Sequence, residues 1–104
     1  MSQCRITVIK KTLNTELAEE YCTGNVSPCE CFHEGQEFFC GLSKPDGFCD
    51  WAWRDIHPVV AVLITGGNFS TGIFDGWMKN ENTMIACCTD GIRPVIFRIE
   101  RIET

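Results

Sequence analysis

The sequence has no long apolar run and little positive charge. Its longest apolar stretch, PVVAVLI, has seven residues, whereas a membrane-spanning helix needs about 18 or more. Lysine and arginine number 9 against 14 aspartates and glutamates, a formal net charge of −5, and the longest basic run is Lys10-Lys11. These shortages argue against a transmembrane helix and against the basic stripe of a nucleic-acid surface, so we expect neither a membrane nor a nucleic acid as partner.

Targeting signals and familiar catalytic motifs are also missing. The N-terminal MSQCRITVIKK has a charged, strand-like pattern in place of the apolar core of a secretory signal, so we expect a cytoplasmic protein. The chain has no Ser-His-Asp arrangement, phosphate-binding loop or dinucleotide fingerprint, and no C-x-x-C pair. No enzyme class is indicated, and the usual spacings of zinc ribbons and ferredoxins are excluded.

Cysteine, in contrast, is abundant, with eight residues among 104. In a secreted chain this count would predict a disulfide framework, but in a reducing cytosol it more often indicates metal binding or thiol chemistry. The cysteines are Cys4, Cys22, Cys29, Cys31, Cys40, Cys49, Cys87 and Cys88. An alternative is that most of them are small buried apolar residues with no shared ligand, and Cys4 and Cys40, inside predicted strands, fit that interpretation best.

The apolar pattern predicts one α+β domain over residues 1–104, with about four strands in an antiparallel or mixed sheet and two helices. Hydrophobic residues make up 44% of the chain, enough for an ordinary core. The predicted order is β-α-β-α-β-β, with the last two strands forming a hairpin. Strands are expected at 4–11, 36–42, 83–88 and 94–102, and helices at 15–21 and from Asp50 to the Gly66-Gly67 pair.

Local signals suggest how the two helices begin and end. Asn14 and Asp50 are candidate N-caps, because their side-chain oxygens can accept from the first helical N–H groups. Pro58 lies inside the second helical pattern and is expected either to kink that helix or to mark its true start. Gly66-Gly67 is expected to end it.

Five cysteines lie in or beside predicted turns, where backbone N–H groups can point at metal-bound sulfur. They are Cys29, Cys31, Cys49, Cys87 and Cys88. Adjacent residues in a strand point to opposite faces, whereas at a strand end entering a turn Cys87 and Cys88 could aim at one point. Four of these thiols, Cys29, Cys49, Cys87 and Cys88, would supply the ligands that zinc or a [4Fe–4S] cluster takes.

Residues near these cysteines are candidates for the surroundings of such a site. Trp51 follows Cys49 and would exclude water from a cluster. Asp90 and Gly91 are expected to make a turn, and Arg93 either pairs with Asp90 or binds an anion beside the site.

Several stretches resemble a family of small proteins that has no assigned activity and occurs mainly in anaerobic bacteria and archaea. The stretches are RITVIKKTLNTELAEEY, EGQEFF, KPDGFCDWAWRDI and IACCTDGIRPVIFRIERIE, so the resemblance runs nearly end to end. It implies that Cys29, Cys49, Cys87 and Cys88 are the cysteines of the family pattern. The others lie outside that pattern, and Cys31 could compete with Cys29 as a ligand.

These observations lead to one prediction and two alternatives. The prediction is a small iron–sulfur protein that holds one [4Fe–4S] cluster on Cys29, Cys49, Cys87 and Cys88 and serves electron transfer or redox sensing with a redox partner protein. The first alternative is a structural zinc site with the same ligands in an interaction module. The second is a metal-free thiol redox protein that uses Cys87 and Cys88.

Overall fold

Four strands and two helices follow one another in the predicted order. The computed structural model describes residues 2–103, and Met1 and Thr104 of the predicted domain lie outside it. The elements are β1 (Ser2–Lys11), α1 (Thr15–Tyr21), β2 (Glu37–Cys40), α2 (Asp50–Ile64), β3 (Thr83–Cys87) and β4 (Val95–Glu103), with a short 3-10 turn at Gly72–Phe74. The α+β class is confirmed, and the predicted bounds agree to within a few residues.

The sheet is antiparallel throughout, in the order β2-β1-β4-β3. Its two central strands are therefore the first and the last along the described chain, with Ser2 opposite Glu103. The register of this pair shifts between Val8 and Lys10. Strands β3 and β4 form the predicted hairpin.

The core lies between one face of the sheet and α2. On this inner face alternate residues of β1 and β4 are fully buried, including Ile6 and Phe97. They pack against the buried stripe Ala52, Ile56, Val60 and Leu63 of α2. This is the period of two in the strands and of 3.6 in the helix that the sequence shows.

The opposite, outer face of the sheet carries charge. Glu100 of β4 accepts hydrogen bonds from Arg5 of β1 and from Arg98, each with a distance of 3.1 Å between the arginine Nε and Glu100 Oε1. The pKa of the Glu100 carboxyl is held below its ordinary value, first by the hydrogen bond from Arg5; burial opposes this, and the charges of Arg98 and Arg5 lower the pKa further. Neither helix packs against this face in the core cluster, and most of its side chains are partly or fully exposed, although Thr7 is buried.

The ends of the helices differ from the expectations in detail. Asn14 precedes α1 but makes no side-chain cap, and its Nδ2 donates a 2.6 Å hydrogen bond to the Gly91 carbonyl oxygen. Cys49, rather than Asp50, is the N-cap residue of α2, and that helix continues through Pro58. It ends as expected before Gly66, whose φ of +93° is the left-handed conformation that glycine tolerates at a helix end.

No helix within residues 2–103 is both long enough and apolar enough to cross a bilayer.

Candidate metal centre

Four cysteines line one cavity of about 330 Å³ beside the start of α2. They are Cys29, Cys31, Cys49 and Cys88. Three of them belong to the predicted ligand set, and the fourth, Cys31, is the residue that could compete with Cys29. All four are free thiols.

Cys29 and Cys31 reach the cavity from the loop between α1 and β2. Phe32 follows them and anchors this loop in the core, where it is buried and its ring centroid lies 5.2 Å from that of Phe97. The Phe32 carbonyl oxygen also accepts a 2.8 Å hydrogen bond from Lys11 Nζ on β1. One buried aromatic residue therefore places both Cys29 and Cys31 at the cavity.

Cys49 is placed by the helix that follows it. Its backbone is extended, and its carbonyl oxygen accepts the first helical hydrogen bond, 2.9 Å from the Trp53 N–H. The preceding residue, Phe48, is buried against Phe97 at a centroid distance of 5.5 Å. The thiol thus lies at the N-terminal end of α2, where the helix dipole favours negative charge.

Cys88 is held by the last strand. Its backbone N–H donates to the Val95 carbonyl oxygen at 3.2 Å. The Val95 N–H in turn donates to Cys88 Sγ at 3.4 Å. A backbone N–H that points at sulfur is the arrangement expected for a turn that stabilises a thiolate.

The structure does not bring Cys87 to the other predicted ligands. Strand β3 runs through Cys87, which pairs with Ile96, so the alternation of the strand persists up to this residue. Ala86 and Cys88 pack against the core, whereas Cys87 is exposed and shares the outer face with Ile85. The two adjacent cysteines therefore lie on opposite sides of the hairpin.

The neighbours predicted to surround the site are largely found there. Three of them, Trp51, Asp90 and Arg93, line the cavity. Gly91 lies in the adjoining turn, and its carbonyl oxygen accepts a hydrogen bond from Asn14. Trp51 nevertheless leaves 73% of its surface exposed, so it forms part of the cavity's rim. Apolar contacts from Phe32, Ala52 and Val95 complete the wall.

Asp90 makes the expected turn and the expected ion pair. Its Oδ1 accepts from the N–H groups of Ile92 at 2.9 Å and Arg93 at 3.1 Å, and its Oδ2 accepts from Arg93 Nε at 3.2 Å. Burial would raise the pKa of Asp90, but these hydrogen bonds outweigh it and hold that pKa below its ordinary value. The pKa of Arg93 is raised, first by Asp90 and to a smaller extent by the thiolate charges of Cys29 and Cys31.

The thiols influence one another across the cavity. The pKa of Cys31 is raised, first by its hydrogen bond with the Cys29 side chain and by the Cys29 charge, and further by burial and by Cys49. Arg93 acts in the opposite direction. Several thiolates facing one space repel each other unless a positive charge lies between them, which a bound metal would supply.

The other cysteines are placed apart from this cavity. Cys4 and Cys40 are directly opposite each other on β1 and β2 and are buried in the core, as expected for small apolar residues. Burial raises the pKa of Cys4 to about 11 and that of Cys40 to about 12. Cys22 contributes instead to a neighbouring polar groove that it shares with Glu30.

Over the part of the chain that the structure describes, no three histidine, cysteine, aspartate or glutamate side chains are grouped tightly enough to hold a single metal ion. The four thiols surround a common space without converging on one point. Comparisons of the chain with models of protein families, with curated proteins and with solved structures find no match. The resemblance described above therefore stays a prediction, and the case for a function rests on the geometry of the cavity.

Proposed function

We propose that this protein binds a [4Fe–4S] cluster in the cysteine-lined cavity and that the cluster serves electron transfer or redox sensing. The observation that carries the proposal is that thiols from three segments, represented by Cys29, Cys49 and Cys88, surround one cavity. These residues are well separated in sequence, and each is positioned by a different element. Iron–sulfur clusters are held by cysteine thiolates, so the donor atoms fit the group.

The size of the cavity favours a cluster over a single ion. Four thiolates around one zinc lie 2.3 Å from the metal and therefore only about 3.8 Å from one another, which leaves no cavity between them. The thiols here line a cavity of about 330 Å³ together with other side chains, which favours a larger group in which each thiolate binds a different iron. Zinc remains the alternative that the same donor set allows.

The surroundings of the thiols suit an anionic, redox-active group. The Val95 N–H directed at Cys88 Sγ and the start of α2 at Cys49 both favour negative charge. Arg93 lines the same cavity, and the charges of Cys29 and Cys31 contribute to raising its pKa after the larger effect of Asp90. When bound, the cluster would supply one-electron chemistry, while these groups set its potential and Phe32 and Val95 limit access of water.

The position of the cavity supports a role in electron transfer. Both Cys31 and Trp51 are exposed at its edge, so a cluster there would lie near the surface. A formal net charge of −5 favours docking to a redox partner with a basic surface, because complementary charge steers such encounters. The proposal includes a redox partner protein and a cytoplasmic location.

The test is metal analysis of protein purified without oxygen and reconstituted with iron and sulfide. We expect broad absorption near 400 nm and about four iron and four sulfide per chain. Cys49→Ala and Cys88→Ala should each lose this cluster, whereas Cys22→Ala, a thiol outside the cavity, should keep it. One zinc per chain and no colour would refute the cluster and favour the structural alternative. A metal-free protein after reconstitution would refute both.

A further inference from the structure

The fourth ligand of the cluster can be assigned from the position of the cysteines. Resting on the function proposed above, we propose that Cys31, rather than Cys87, supplies the fourth thiolate of the site. The assignment completes a set of four thiolates from the residues that line the cavity, namely Cys29, Cys31, Cys49 and Cys88.

The first argument is the direction of the strand. Cys87 is the last residue of β3 and pairs with Ile96, on the face of the sheet away from α2. Its neighbours on either side, Ala86 and Cys88, pack against the core. For Cys87 to reach the cavity, the end of the hairpin would have to rotate and break the Cys88–Val95 backbone bond of 3.2 Å, which also positions Cys88.

The second argument is the position of Cys31 itself. It lines the same cavity as Cys29, Cys49 and Cys88, two residues beyond Cys29 in the same loop. The loop that carries it is fixed directly afterwards by the buried Phe32. No rearrangement of an element is needed to bring Cys31 to the site, only rotation of an exposed side chain.

The assignment has a chemical consequence. Four protein thiolates occupy one coordination position on each iron of a cubane, so no iron is left open to bind a substrate. Cys31 therefore makes the site a closed one, and a closed cluster carries electrons or senses redox state. A set of only three thiolates would leave one iron open for catalysis.

The first experiment compares Cys31→Ser with Cys87→Ser after anaerobic reconstitution with iron and sulfide. We expect Cys87→Ser to keep the wild-type iron content and spectrum. Cys31→Ser should lose at least one iron of about four per chain and show a changed electron paramagnetic resonance spectrum after reduction. Both substitutions are at exposed positions, and circular dichroism checks that both proteins fold.

A second measurement separates this assignment from the proposed cluster. The apo wild type is oxidised mildly with diamide, and the disulfides formed are mapped by mass spectrometry. Cys31 should form a disulfide with another thiol of the cavity, whereas Cys87 should stay reduced. If the wild type takes no cluster but shows this pattern, the proposed function fails and the place of Cys31 among the cavity thiols stands. A disulfide between Cys87 and a cavity thiol with Cys31 left reduced overturns the assignment.

Discussion

Arg101 of β4 is expected to be the most important single polar side chain for stability. Its guanidinium donates to the carbonyl oxygens of Leu63 and Gly67, both at 2.7 Å, and to Asn82 Oδ1 at 2.6 Å. It thereby joins the C-terminal end of α2 to the last strand and to the loop that precedes β3. A cation at this position also complements the negative end of the helix dipole.

The expected cost of removing these bonds follows from their number and charge. A hydrogen bond to a charged group contributes about 1.5–3 kcal/mol, and the helix dipole adds about 0.3–1 kcal/mol. Because Arg101 is only partly buried, we expect Arg101→Met to lower the free energy of unfolding by about 2–4 kcal/mol. For a domain of this size that corresponds to a fall in Tm of roughly 10–25 °C.

Urea unfolding followed by tryptophan fluorescence measures this cost, with all variants kept metal-free because a bound ligand adds to apparent stability. Arg101→Lys should recover only part of the loss, since an ammonium lacks the planar fork that reaches both carbonyls. The matched control is Arg98→Met, whose partner Glu100 is at the surface of the sheet and which should cost less than about 1 kcal/mol. If Arg101→Met stays within about 0.5 kcal/mol of the wild type, or if both variants lose equally, the reasoning is refuted.

Three further predictions follow from buried or paired groups. Thr7→Val should raise the free energy of unfolding by about 1 kcal/mol in urea, because the Thr7 hydroxyl is buried without a hydrogen-bond partner among the described residues; a loss of stability would contradict this. The Glu100 carboxyl, whose pKa is lowered first by Arg5, stabilises the fold above its unfolded pKa of about 4.3. The wild type should therefore exceed Glu100→Gln by about 0.5–1 kcal/mol at pH 7, and the gap should close as the pH falls through the lowered folded pKa; a gap independent of pH would argue against the ion pair. Cys4 and Cys40 should resist alkylation at pH 8, because burial raises their pKa to about 11 and about 12; mass spectrometry showing them labelled as fast as the exposed thiols would disprove this.

The strands could be predicted because their alternation is regular, as in Val95, Phe97 and Ile99 of β4, all of which are buried. The order of the strands in the sheet could not, since the sequence indicates which residues face inward but not which strands are neighbours. Of the two alternatives for Pro58, a true helix start at the proline is wrong, because α2 begins at Asp50 and includes the proline. Here the apolar stripe outweighs the local cost of a missing hydrogen bond.

The membership of the candidate site could be predicted only in part, and its chemistry stays a prediction. The local pattern placed Cys29, Cys49 and Cys88 in one site, and the structure brings all three to one cavity. The pattern also assigns Cys87 to the site, but Cys87 still belongs to β3 and does not line the cavity, because the strand ends after that residue and not before it. The position of Cys31 follows from the anchoring of Phe32 in the core, a contact between distant segments that local spacing does not encode.

The pairing of the first strand with the last has a consequence for the order of assembly in the cell. β1 and β4 form the centre of the sheet, and every residue that lines the cavity lies between them in the chain or at the start of β4. A ribosome that has not yet released β4 therefore exposes a chain with free thiols but no cavity, since Val95 supplies both the wall and the N–H that faces Cys88. Contacts of such long sequence separation form late in folding. The cavity is thus complete only after the last strand has been translated and paired, and the proposed cluster would be inserted after that step.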